Sequence, residues 1–134
     1  MKERKLTYTL DQWKEKINGK KKHKYNATAC ESDGVKFPSK LERSYYERLI
    51  AAVSRQEVDF FLRQVPFHLP GNVKYLVDFV VFYWGNAPHH NSVEYVDVKG
   101  KMTPMSILKI KQVEALYPVK IKIVDDHYLK NNIT

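Results

Sequence analysis

Apolar positions along this chain follow two rhythms. From Val58 to Leu69, from Tyr75 to Trp84 and from Ser92 to Val98, short runs rich in Val, Phe and Tyr are bounded by Pro, Gly and Asn, the signature of β-strands. From Ser39 to Val53 and again from Thr103 to Leu116, apolar residues recur three and four positions apart, as one face of a helix requires. The stretch Tyr75 to Gly100, YLVDFVVFYWGNAPHHNSVEYVDVKG, sets two strand-like runs around a polar loop, Gly85 to Asn91, and predicts a central hairpin.

The remaining elements fit around it. Thr9 to Asn18 reads as a short helix, with Thr9 and Gln12 as a capping box, Gly19 as a stop, and Trp13 and Ile17 as docking residues. Ala27 to Phe37 reads as a small hairpin turned by Ser32-Asp33-Gly34 and closed by Pro38. The helix from Ser39 presents Leu41, Tyr45, Leu49, Ala52 and Val53, and opens on Ser39-Lys40-Leu41-Glu42, a capping-box pattern. The strand Val58 to Leu69 is expected to bend or end near Pro66, and Pro70-Gly71-Asn72 turns it into the central hairpin. Thr103-Pro104 opens a second long helix with Ile107, Ile110, Val113, Ala115 and Leu116 as its buried side. Val119 to Val124 alternates apolar residues with Lys, predicting a strand with one wet face; Asp125-Asp126-His127 reads as a turn or helix cap. The expected organisation is an N-terminal helix and basic arm over 1–26 and a folded domain over 27–134, with no internal repeat.

Each central strand carries an acid where an apolar residue is expected: Asp78 in the first, Asp97 in the second, with Lys99 two positions on. Strand side chains alternate, so Asp97 and Lys99 share a face with Val93 and Tyr95 while Val96 and Val98 point the other way. A hairpin that pairs Trp84 with Asn91 sets Asp78 opposite Asp97. Directly opposed residues have Cβ atoms roughly 4.5–5.5 Å apart, where like charges repel. A hard divalent cation such as Mg²⁺ neutralises such a pair; otherwise Asp97 and Lys99 read as a same-face ion pair on an exposed edge and Asp78 as the mark of a bulge. Glu42 reads either as the partner of the Ser39 cap or as a third carboxylate near that cation. Gln64 reads either as a group that orients a water or as one that satisfies the backbone. His89 and His90 are adjacent in a loop, without the spacing of zinc ligands, and His68 reads as a surface or structural residue.

Composition sharpens the partner. Among 134 residues Lys and Arg number 23 against 15 Asp and Glu, a net charge of +8, which favours a polyanion. No basic helix has a broad apolar face, so nucleic acid is favoured over a membrane surface. Lys20, Lys21, Lys22 and Lys24 form an arm that either follows phosphates or remains a solvated linker. Lys101 would be a further phosphate contact, and Lys109 faces either solvent or such a ligand. No run approaches the roughly 20 apolar residues of a membrane span. The charged start and the single cysteine, Cys30, predict a cytoplasmic protein without a secretory signal or internal disulfide.

The order helix, three strands, helix, strand, with acids on the second and third strands, resembles the restriction-endonuclease-like fold. Its PD-(D/E)xK signature corresponds here to Val77-Asp78 and Asp97-Val98-Lys99, with Val77 in place of the proline. KYNATACESDGVKFPSKLERSYYERL, RQVPFHL, YLVDFVV and YVDVKGKMT are similar to a family of small phage-encoded endonucleases related to Holliday junction resolvases, over about Lys24 to Val124. The resemblance implies an α/β core of helix, three-stranded antiparallel meander, helix and strand, preceded by a small helix and hairpin. It further implies a Mg²⁺- or Mn²⁺-dependent endodeoxyribonuclease acting in phage recombination or replication in the host cytoplasm; branched or junction DNA is the expected substrate, with flaps and plain duplex left open. Asp78, Asp97 and the Val98 carbonyl would hold the metal, Glu42 would join them, and Lys99 would orient the water or stabilise the transition state. Junction cleavage would imply a homodimer. The alternatives are a DNA-binding accessory protein without catalysis and a basic surface for an acidic protein.

Overall fold

The computed structural model describes residues 30–85 and 92–132. The expected helix Thr9–Asn18, the arm with Lys20, Lys21, Lys22 and Lys24, and His89 and His90 lie outside them. The described chain is mixed α/β. A small hairpin of β1 (Cys30–Ser32) and β2 (Val35–Phe37) leads into α1 (Lys40–Ser54). β3 (Val58–Leu69), β4 (Val73–Tyr83) and β5 (Val93–Val98) follow, then α2 (Pro104–Leu116), β6 (Ile121–Val124) and α3 (Asp126–Asn131). The main sheet has the order β3-β4-β5-β6. Its first three strands form an antiparallel meander. β6, reached through α2, lies parallel to β5, as a helical crossover permits.

Local chemistry explains most boundaries. Asp33 and Gly34 both have positive φ, 51° and 74°, the tight hairpin turn that an Asp-Gly pair favours. The Ser39 hydroxyl accepts the Glu42 N–H at 3.2 Å and so caps α1. Thr103 does the same for Ser106 ahead of Pro104 at the start of α2. Asp125 caps α3 through the Tyr128 N–H at 2.7 Å.

The sheet is packed on both sides. Tyr45, Tyr46, Leu49 and Ala52 of α1 meet Phe79, Val81, Val96 and Val98 in one cluster. Val113 of α2 meets Leu69, Tyr75, Val77 and Val80 in the other. Val77 and Phe79, two residues apart, therefore belong to different clusters, and strict alternation breaks at Asp78. β3 breaks at the same step: Phe61 packs with the α1 cluster, while Val65 and Phe67 pack with the α2 cluster.

Three expectations need correction. β3 does not end near Pro66, which pairs with Leu76; β3 is an edge strand, where the missing proline N–H costs nothing. The irregular backbone lies at Gln64, with φ of 52°. The buried side of α2 is much narrower than predicted: Val113 is buried and Ile110 partly so, whereas Ile107, Ala115 and Leu116 are exposed. The helix covers only one end of the sheet, so apolar periodicity overstated its contact. The lysine side of β6 is not simply wet, because Lys122 Nζ sits 5.1 Å from the Tyr128 ring centroid and 3.4 Å from the Glu94 carboxylate. Among the described residues no helix is long and apolar enough to cross a membrane.

Candidate active site

The β4–β5 ladder pairs Phe82 with Val93 through to Phe79 with Val96. This is the register predicted for the hairpin, and its next step sets Asp78 against Asp97. The backbone ladder stops there. The Val98 N–H instead donates to Asp78 Oδ2 at 2.8 Å. β5 goes on with β6, where Val98 pairs with Val124 and the Lys99 N–H donates to the Val124 carbonyl at 2.9 Å. β4 extends back to Val73 paired with β3. The two central strands part at their acids.

Each carboxylate has its own surroundings. Asp78 is buried and receives the Gln64 side-chain N–H on Oδ1 at 3.1 Å. Among the described residues the Gln64 side chain thus bonds the carboxylate rather than a backbone group. The left-handed backbone of Gln64, with φ of 52°, costs roughly 1–2 kcal/mol for a residue with a Cβ. Asp97 is 0% exposed. Its Oδ2 accepts a hydrogen bond from the Tyr75 hydroxyl. Its Oδ1 is 3.5 Å from Lys99 Nζ, an attraction of opposite charges rather than a formed hydrogen bond.

Glu42 resolves one alternative left open by the sequence. The cap of α1 is made by the Ser39 hydroxyl, and no hydrogen bond returns from the Glu42 carboxylate. Glu42 Oε2 is buried without a partner. The side chain is therefore available to a ligand. Ser39→Ala should lower stability by about 1 kcal/mol, whereas Glu42→Gln should leave the melting temperature unchanged or raise it. Thermal melts of the two variants test this division, and a Glu42→Gln melt as depressed as that of Ser39→Ala would return Glu42 to the cap.

The electrostatics match this crowding. Burial pushes the Glu42 carboxyl up to about 7, against the pull of Lys99 and Arg63 and with a further push from Asp97. Burial raises Asp78 well above the carboxylate range. The adjoining Asp97 carboxyl and the charge of Glu42 add to the rise, and the Val98 N–H opposes it. Tyr75 is raised as well, by burial and by its bond to Asp97. Excess buried negative charge, with Asp97 Oδ1 and Glu42 Oε2 both lacking a hydrogen-bond donor, is the chemistry that a hard cation satisfies. Among the described residues no three acidic, His or Cys side chains stand as a ready-made cage. Mg²⁺ does not require one, since it binds through one or two carboxylates and completes its shell with water and phosphate. The residues fit such an ion.

The structure thus gathers Glu42, Gln64, Asp78, Asp97, Val98 and Lys99. Lys101 is exposed and Lys109 half-buried on α2, and neither makes an ion pair with these acids. The sequence reading missed Tyr75 and Arg63. Arg63 was visible in principle, as the charged member of the alternating set Phe61, Arg63, Val65, Phe67. Tyr75 carried no such signal, because a tyrosine suits any buried strand.

No curated protein and no solved structure matches the chain. Residues 22–130 match the family described as protein of unknown function (DUF1064), to which the chain belongs.

Proposed function

We propose that this chain is a metal-dependent endodeoxyribonuclease with a restriction-endonuclease-like core. The observation that carries the reading is the convergence of Asp78, Asp97, Glu42 and Lys99 where β4 and β5 part, with carboxylate oxygens left without donors. The order α1, β3, β4, β5, α2, β6 is the order of elements in that fold. A net charge of +8 suits a polyanionic substrate.

A bound Mg²⁺ or Mn²⁺ would polarise the scissile phosphate and make water a nucleophile at neutral pH. Asp78 and Asp97, with the Val98 carbonyl, would hold it, and Glu42 would supply a further oxygen donor. Tyr75, Gln64 and the Val98 N–H fix the rotation of the two aspartates, the part that outer hydrogen bonds play in metal sites. Lys99 donates to a phosphate oxygen as negative charge grows on it. Lys101, Lys109 and the basic arm of Lys20, Lys21, Lys22 and Lys24 contact neighbouring phosphates and set position without reading sequence. Water adds to phosphorus, a bridging P–O bond breaks, and the strand is left with a phosphate and a hydroxyl end.

The full chain incubated with duplex, flap and four-way DNA is expected to cleave at least one of them in Mg²⁺ or Mn²⁺ and none in a chelator. Preference for the four-way substrate would place it with junction-resolving enzymes. Folded protein that cuts none of the three in either metal would overturn the proposal.

A further inference from the structure

We infer that Arg63 is a phosphate-binding residue of this site, holding a DNA phosphate beside the one that is cut. The inference rests on the nuclease reading and extends it to a residue outside the acid–lysine set. Arg63 pairs with Phe79 on β4, one step from Gln64 and Asp78. Its guanidinium Cζ lies 4.3 Å from the centroid of the Phe37 ring and 5.7 Å from that of Tyr46. The two rings are themselves in contact, with centroids 4.9 Å apart. Strand β2, helix α1 and strand β3 therefore meet on this one side chain.

What it lacks, among the described residues, is an acceptor. Arg63 Nε is buried without a hydrogen-bond partner, and among the described residues the guanidinium makes no ion pair. An arginine has five N–H donors to satisfy, and a buried donor left without an acceptor is costly. The charge reaches Glu42, whose carboxyl it pulls down, yet the two do not bond although Glu42 Oε2 is itself without a donor. Stacking on an aromatic ring engages the face of a guanidinium and leaves its edge for a planar pair of anionic oxygens. The net charge of +8 favours a polyanion, and a phosphodiester oxygen accepts from such an edge. The β1–β2 hairpin thereby gains a role, since it supplies the Phe37 ring that fixes the guanidinium.

The test is binding of a mixed-sequence DNA duplex to the full chain, with Ca²⁺ in place of Mg²⁺, across a range of salt. Arg63→Met keeps the stem against Phe37 and removes the charge. It should weaken binding roughly ten- to a hundredfold and make the log–log salt slope shallower by about 0.9, one phosphate contact. Arg63→Lys keeps the charge and should preserve the slope while losing part of the affinity. Unchanged affinity and slope in Arg63→Met, with a lowered melting temperature, would make Arg63 a packing residue and overturn the inference. Should Arg63→Met fail to fold, wild-type affinity in Arg63→Lys would overturn it equally. Inorganic phosphate with Ca²⁺, read as a thermal shift, separates the two levels. A wild type that binds no DNA, yet is stabilised by phosphate in an Arg63-dependent way, would sink the nuclease reading and keep the anion site. Indifference to both probes would remove both.

Discussion

Asp97→Asn is expected to lose metal-dependent cleavage by at least about a hundred- to a thousandfold, the scale set by removing one group that stabilises charge in a transition state. DNA binding should be retained or become tighter, because a negative charge facing the phosphates has gone. Stability should move in the opposite direction from activity. Asp97 is fully buried, next to Asp78 and within the field of Glu42. Replacing its carboxylate by an amide of the same shape relieves repulsion while an oxygen still accepts from Tyr75. The metal-free melting temperature of Asp97→Asn should therefore equal or exceed that of the wild type, the pattern of a residue kept for chemistry at the expense of the fold. Wild-type cleavage by Asp97→Asn in Mg²⁺ would end the assignment. An equal fall in cleavage and melting temperature would identify Asp97 as structural.

The second large effect is a pH dependence that a cation should remove. Glu42 and Asp78 have folded pKa values raised above their ordinary ones, Glu42 from 4.5 to about 7. Folding therefore favours their protonated forms. Their contribution is complete below the unfolded pKa and is lost as pH rises through the folded one. In a chelator the chain should thus become less stable from about pH 4.5 to pH 7 and beyond, by at most about 3 kcal/mol for Glu42. Saturating Mn²⁺ or Mg²⁺ binds the ionised form, so it should flatten this decline and raise the melting temperature most above pH 7. Denaturant unfolding at several pH values with and without metal measures both trends. A metal-free stability that climbs over the same interval, or a decline that Mn²⁺ leaves untouched, would contradict the arrangement of acids described above.

Much of this geometry could be read before any coordinates. The β4–β5 register followed from loop length and from alternation, and both hold where Phe79 meets Val96. Ser39, Thr103 and Asp125 announced their helices because capping is local chemistry. The failures share a cause, since each depended on distant partners. Apolar residues of α2 at helical spacing indicate a helix, but how much of it the sheet covers depends on where the crossover lands. Pro66 is a strong local signal, yet it does not end the strand, because β3 lies on the sheet edge. Gln64 gave no local sign of a left-handed backbone, which here accompanies a hydrogen bond to Asp78 on the neighbouring strand. The capping pattern at Glu42 identified the helix start correctly and concealed that the carboxylate itself was uncommitted.

The change of side at Asp78 has a mechanical meaning. Tyr75 and Val77 are anchored beneath one helix, Phe79 and Val81 beneath the other, so Asp78 occupies the fulcrum between two separately packed bodies. A methyl group gained or lost at Val113, or at Leu49 on the opposite flank, would tilt the strand about that point without touching Asp78. Relatives with different aliphatic residues at such positions would aim the same acid differently, and tuning of the chemistry could begin in the packing.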